Sequence, residues 1–242
     1  MTNLSQMKKY TFYISLILAV TFVSCKKEVA PTPKVIYEDS SKVKNEVPQD
    51  TAQIEIADLP INMEGTNYLI FPIGTMPGDK KGLKSYDSGT GYTVSNYGEY
   101  QITGYLKNFK FREMGKDSLY ALTDKNVLIE TATYLKPLAD KTKKQLMVYT
   151  LADMDTNKDN KLDNNDIKSL YVSDISGKNF AKLSVDFQEL IDWNLIEAKS
   201  QLYYRTIEDT NKNGEFDKGD LLHYFFVNLL DKTLKSTEYK PI

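Results

Sequence analysis

Residues 146–174, LMVYTLADMDTNKDNKLDNNDIKSLYVSD, set twelve residues of almost nothing but carboxylates and amides, 155–166, between two runs rich in Leu, Val and Tyr. Runs of that composition favour extended strands, and the polar dozen is then either a hairpin connection or an ion-binding loop. The chain carries a second copy, DTNKNGEFDKGD at 209–220, which opens 54 residues after the first. The same offset, without a gap, pairs Asp174 with Asn228, Ile175 with Leu229, Lys178 with Lys232 and Phe180 with Leu234. Upstream, Gln145-Leu146 matches Gln201-Leu202 with a slip of two residues. Residues 145–239 therefore read as a duplicated unit of strand, acidic loop, strand, turn and strand.

Elsewhere, short runs of Tyr, Thr, Val, Ile and Phe predict strands at residues 68–73, 100–112, 118–122, 127–134, 145–152, 169–174, 181–187, 200–208, 222–229 and 234–239. Residues 187–199 are the one helical contender, since Leu190, Trp193 and Leu195 could share a face. Trp193-Asn194-Leu195-Ile196 also fits an extended segment, and strand is the preferred reading. The expected fold class is mostly β, an antiparallel meander of repeated sheets with the two twelve-residue loops inserted between strands. The segment LYVSDISGKNFAKLS, residues 170–184, resembles a blade of TolB-like β-propellers, in which two strands flank a Gly-containing turn. That resemblance implies stacked four-stranded sheets, and residues 53–242 would supply three or four of them, as a small closed propeller or an open array. Residues 65–98 hold seven of the twelve glycines and read as long loops at one edge. Gly78-Asp79-Lys80-Lys81-Gly82 lacks the spacing and the hydroxyl of a phosphate-binding loop.

Counted from Asp155, side-chain oxygens fall at positions 1, 3, 5, 9 and 12 as Asp155, Asn157, Asp159, Asp163 and Asp166, with the Lys161 carbonyl at position 7 and Leu162 at 8. Counted from Asp209, they are Asp209, Asn211, Asn213, Asp217 and Asp220, with the Glu215 carbonyl and Phe216. Position 6, which must turn with positive φ, is Asn160 in one loop and Gly214 in the other, the residue types that tolerate it best. Both loops resemble the EF-hand and dockerin-type calcium motif, which implies a calcium ion at each of two sites. Position 12 is Asp rather than Glu, which shortens the bidentate arm, and the segments after the loops do not read as amphipathic helices. The ligand set is carried over, and the helical fold and cohesin partner of dockerins are not. Oxygen donors select calcium over zinc or copper. The four carboxylates of the first loop repel one another until a cation relieves them.

At the N-terminus, Lys8 and Lys9 precede an uncharged apolar run, residues 11–23, too short to span a bilayer and fitting a secretory signal. It ends in Phe22-Val23-Ser24-Cys25, and Cys25 is the only cysteine. These residues resemble a bacterial lipobox with Phe22 in place of the usual Leu. The resemblance implies removal of residues 1–24, lipidation of Cys25 and attachment to the membrane of a Gram-negative envelope, with the outer membrane favoured because no Asp follows Cys25. Residues 25–52, with Pro31, Pro33 and Pro48 and no apolar periodicity, read as lipid anchor and flexible tether, and residues 53–242 as the β domain.

Removing residues 1–24 takes away two lysines and no acid, leaving 29 basic and 33 acidic side chains, a net charge of −4. That balance argues against a nucleic acid partner. A mature domain without a cysteine pair must also be stabilised by something other than a disulfide. The catalytic inventory is thin: one histidine, His223, in an aromatic strand, and no GxSxG, HExxH or Cys/His cluster. Glu130, Glu189, Asp192 and Glu197 are the carboxylates outside the loops that could form a glycosidase-type pair. The expected function is non-enzymatic, a calcium-stabilised module that binds a protein or glycan, for which 17 tyrosines offer surface. A purely structural envelope lipoprotein is the alternative, and a glycan-processing hydrolase a third reading.

Overall fold

A computed structural model of the chain describes residues 33–37, 53–77 and 93–242. The signal segment, Cys25 and the Gly78–Gly82 stretch lie outside these residues. The described β domain is mostly antiparallel β structure, as the composition predicts. One sheet joins β1 (Gln53–Ala57), β2 (Tyr68–Pro77), β5 (Asn108–Glu113) and β6 (Tyr120–Ala121) in that order. A central sheet of six strands has β3 (Ser95–Tyr97), β4 (Gln101–Leu106), β7 (Leu128–Tyr134), β8 (Leu146–Ala152), β9 (Lys168–Asp174) and β10 (Ala181–Lys182), paired side by side in chain order. The C-terminal sheet is the meander β11 (Gln188–Ile196), β12 (Gln201–Glu208), β13 (Leu221–Asn228) and β14 (Ser236–Glu238).

The period-two alternation of side chains determines how these sheets stack. Along β8, Met147, Tyr149 and Leu151 enter a core shared with Ile70, Phe109 and Phe111 of the first sheet. Leu146 and Val148 enter a second core with Leu202, Tyr204, Phe225 and Val227 of the C-terminal sheet. The β9 strand does the same, with Tyr171 on one side and Leu170 and Val172 on the other. The central sheet is thus buried on both faces, and the two cores lie on its opposite sides. Among the described residues no core cluster joins the first sheet to the third, so the arrangement is an open array.

Two parts of this array share a strand order. The meander β7-β8-β9-β10 in the central sheet and β11-β12-β13-β14 in the C-terminal sheet have the same strand order. In both, the acidic loop joins the second strand to the third. Each loop closes a long ladder, Leu146↔Asp174 to Ala152↔Lys168 in one and Gln201↔Asn228 to Glu208↔Leu221 in the other.

Several predicted boundaries move. Residues 100–112 form two strands, because the Lys107 N–H donates to Ile73 O at 2.8 Å and carries the chain from the central sheet into the first. Residues 187–199 contain a strand, β11, which pairs along β12 with a bulge between Leu190 and Asp192. Among the described residues the α-helix lies instead at α1, Lys136–Thr142, with Pro137 in its first turn and a left-handed C-cap at Lys143, whose N–H donates to Ala139 O. Only Leu138 and Ala139 of this helix are buried, too few to announce a period. Residues 118–122 and 181–187 shorten to two paired residues each, while β1 at the start of the β domain and β3 and the extension of β2 to Pro77 in residues read as loops add pairing. Residues 33–37, expected within the tether, pack on the domain.

Leu146→Ala and Met147→Ala point to opposite faces of β8, and each should cost about 2–5 kcal/mol in urea unfolding. A cost within about 0.5 kcal/mol for either one would show that its face is not covered.

Candidate metal centre

Two adjacent hairpins present the acidic loops, and the loops fold alike residue by residue. Positions 4 and 6 have left-handed backbone in both, Lys158 (φ 58) and Asn160 (φ 64) in the first, Lys212 (φ 58) and Gly214 (φ 84) in the second. The side-chain oxygens at positions 1, 3, 5, 9 and 12 turn back onto the loop and accept from its own amides. Asp155 accepts from the N–H of Asp159 at 3.2 Å and of Asn160 at 2.8 Å, and Asp209 accepts from Asn213 at 3.2 Å and Gly214 at 2.7 Å. Asn157 and Asn211 at position 3 each accept from position 5, at 3.0 and 2.8 Å. Asp159 and Asn213 accept from position 7, at 2.9 and 2.8 Å. Asp163 and Asp217 accept from position 11, at 2.8 and 2.7 Å.

Position 12 ties the two ends of each loop together. The Asp166 carboxylate accepts from the N–H of Thr156 at 2.7 Å and of Asp163 at 2.9 Å, and Asp220 accepts from Thr210 at 3.1 Å and Asp217 at 2.8 Å. Asp166 is fully buried, and that burial raises its pKa against the pull of three amide donors. Asp209 is 3% exposed. A buried carboxylate of this kind is costly to keep ionised unless it is paired or coordinates a cation.

All the proposed side-chain ligands therefore sit within one network in each loop, and their donor set is oxygen only, as a hard cation requires. Among the described residues no three His, Cys, Asp or Glu side chains gather as a preformed cation cluster. The carboxylates are spent on loop amides, and Asn side chains and the carbonyls of Lys161 and Glu215 would have to supply the remaining oxygens. Leu162 and Phe216, expected as apolar anchors, are half-buried. Strands, not helices, follow both loops. A groove of about 850 Å³ borders the first loop, its wall including Asn160, Lys161, Asp163, Lys107 and Lys110.

The other singled-out residues serve the sheets. His223 bridges two strands, with Nε2 2.9 Å from Glu208 and Nδ1 2.8 Å from Glu238. Glu130 pairs with Lys168 at 2.9 Å, Glu189 with Lys34 at 2.7 Å, and Asp192 with Arg205. Glu197 lies in a 3-10 turn at 197–199. The sequence reading missed Thr156 and Thr210 at position 2, whose amides close the loops, although the repeated Asp-Thr-Asn signals them. It also missed Tyr37, whose only signal is the apolar triplet Val35-Ile36-Tyr37 in a polar stretch. The Tyr37 phenol pKa is pushed up to about 12, by burial first and then by the Asp209 carboxylate to which it hydrogen-bonds.

The chain matches no family model, no curated protein and no solved structure.

Left-handed backbone at position 6 costs an ordinary side chain about 1–2 kcal/mol. Asn160→Gly should leave the melting temperature unchanged or slightly higher, and Asn160→Val should lower it by several degrees in a thermal melt followed by circular dichroism.

Proposed function

We propose that this chain is a lipid-anchored envelope protein whose stacked β domain is braced by calcium at two loops and serves as a non-enzymatic binding or accessory module. The observation that carries the reading is the identity of the two loops in backbone and hydrogen-bond pattern at positions 1, 3, 5, 9 and 12. Random polar turns have no reason to share left-handed residues at positions 4 and 6 and the same five acceptors. Asp155, Asn157, Asp159, Asp163, Asp166 and the Lys161 carbonyl would hold one ion. Asp209, Asn211, Asn213, Asp217, Asp220 and the Glu215 carbonyl would hold the other. The ion supplies positive charge among crowded oxygens, and the loops in turn fix the ends of β8, β9, β12 and β13. Such a brace suits an exported domain with no disulfide.

The outward face of the C-terminal sheet supports a binding module over a mere spacer. Tyr203 stacks on Phe226 at 5.8 Å, and the Tyr239 ring meets Tyr203, Phe226 and Tyr224 edge-on or steeply tilted at 5.6 to 6.2 Å. Arg205 and Asp192 pair beside them. A half-buried aromatic cluster with a polar margin has the composition of a recognition surface for protein or glycan. Hydrolysis by the four named carboxylates draws little support, because three of them are held in ion pairs.

Sites of the extracellular class bind at about 10⁻⁴ to 10⁻³ M. Calcium at ten to a hundred times that constant would add about 1.4–2.7 kcal/mol per site if it binds only the folded chain. Calcium should therefore raise the melting temperature of EDTA-treated protein by several degrees, and Asp155→Ala with Asp209→Ala should abolish the rise. Equal melting temperatures with calcium and with EDTA would refute the calcium brace.

A further inference from the structure

Residues 33–37 lie across both acidic loops. The backbone N–H groups of Lys34 and Val35 donate to Gly214 O at 2.7 and 3.3 Å, and that of Ile36 donates to Thr156 O at 2.9 Å. The Thr156 hydroxyl returns a bond to Lys34 O at 2.8 Å. Val35 is 2% exposed. The Lys34 ammonium lies 2.7 Å from one oxygen of Glu189, whose other oxygen accepts the Lys168 N–H at the start of β9. Tyr37 packs against Phe187 at 6.3 Å between ring centroids, Lys212 stands 5.9 Å over its ring, and its phenol hydrogen-bonds to Asp209.

We infer that residues 33–37 form a strap that belongs to both proposed metal sites and couples the two loops to each other. The inference rests on the calcium reading above and adds a coupling that the loops alone do not require. Each N–H of the strap backbone that bonds a loop falls on a residue whose own N–H a proposed ligand already holds. Gly214 gives its N–H to Asp209 at 2.7 Å and its carbonyl to the strap, and Thr156 gives its N–H to Asp166 at 2.7 Å and its carbonyl to Ile36. Tyr37 touches the position-1 carboxylate of the second loop directly.

Glycine at position 6 of that loop serves the strap as well as the turn. A Cβ on Gly214 would stand 2.5 Å from Val35 O and 2.6 Å from the Pro33 Cβ, closer than atoms can pack. The first loop, which meets the strap through Thr156, carries Asn160 at the same position. This difference is the one place where the loops diverge at position 6, and the strap accounts for it.

A segment of five residues with few apolar contacts sits at the low end of local stability, so modest changes in the loops decide whether it stays docked. Calcium fixes Thr156 and Gly214 by ordering the carboxylates that hold them, and the strap then docks on a preorganised surface. By reciprocity a docked strap strengthens calcium binding by the same factor, and it ties the two ions into positive cooperativity.

Hydrogen exchange of the full chain, EDTA-treated and then loaded with calcium chloride, reads this coupling. Calcium should slow exchange of peptides covering 155–166 and 209–220 and, with the same midpoint, of the peptide covering 33–37. Val35→Asp should remove the protection of 33–37 and weaken calcium affinity about fivefold or more in calorimetry. Lys34→Glu, which leaves the loops and cores untouched, should do the same more mildly. Unchanged exchange across β8 and β12 shows that either variant is folded. Calcium that protects both loops but leaves residues 33–37 and the variant affinities unchanged would overturn the strap and leave the calcium brace standing. Calcium that protects neither loop would overturn both.

Discussion

The central hairpin of β8 and β9 must be covered on both faces, and the rest of the domain answers that constraint. Five residues of β8, Leu146, Met147, Val148, Tyr149 and Leu151, supply side chains to two cores, and of the strand's seven residues all but Thr150 are buried. A strand of this kind cannot face water on either side, so it needs a sheet before it and a sheet after it. Residues 53–122 provide most of the first and residues 188–238 the second. The acidic loop at the end of the hairpin is its most exposed part, whereas the copy made by β12 and β13 buries one face and leaves the other partly open to solvent.

Seen this way, the loops are the weak ends of strong ladders. Their backbones turn through two left-handed residues each, and their amides have no strand partner. The chain satisfies those amides with its own carboxylates and amides, which is why a dozen residues with almost no apolar content keep one conformation. The cost is a set of acids crowded together, one of them fully buried in the first loop and one nearly so in the second. On the calcium proposal, coordination would replace this mutual repulsion while leaving the turn geometry in place. The strap at 33–37 joins these two loops.

Much of this was legible in the residues. The duplication, the order of strands within it and the position of both loops between strands follow from the offset of 54 and from the alternation of Tyr, Val and Leu with polar residues. Position 6 was readable from Asn160 and Gly214 alone. The split at Lys107 was not, because residues 100–112 are uniformly strand-like and only the tertiary contact with Ile73 separates β4 from β5. Nor was α1, whose seven residues contain no full apolar period. The strap was hidden for a different reason: Val35, Ile36 and Tyr37 are three apolar residues in a proline-containing polar stretch, and what they cover lies more than a hundred residues away in sequence.

If both loops are cation sites of the same geometry, the stoichiometry of calcium binding shows it directly. Isothermal titration of calcium chloride into the EDTA-treated chain should give two ions per chain, falling to one for Asp155→Ala and one for Asp209→Ala, and to none for the pair. Absence of binding up to about 10 mM calcium, ten times the weakest constant of this class of site, or stoichiometry unchanged in the double variant, would contradict it.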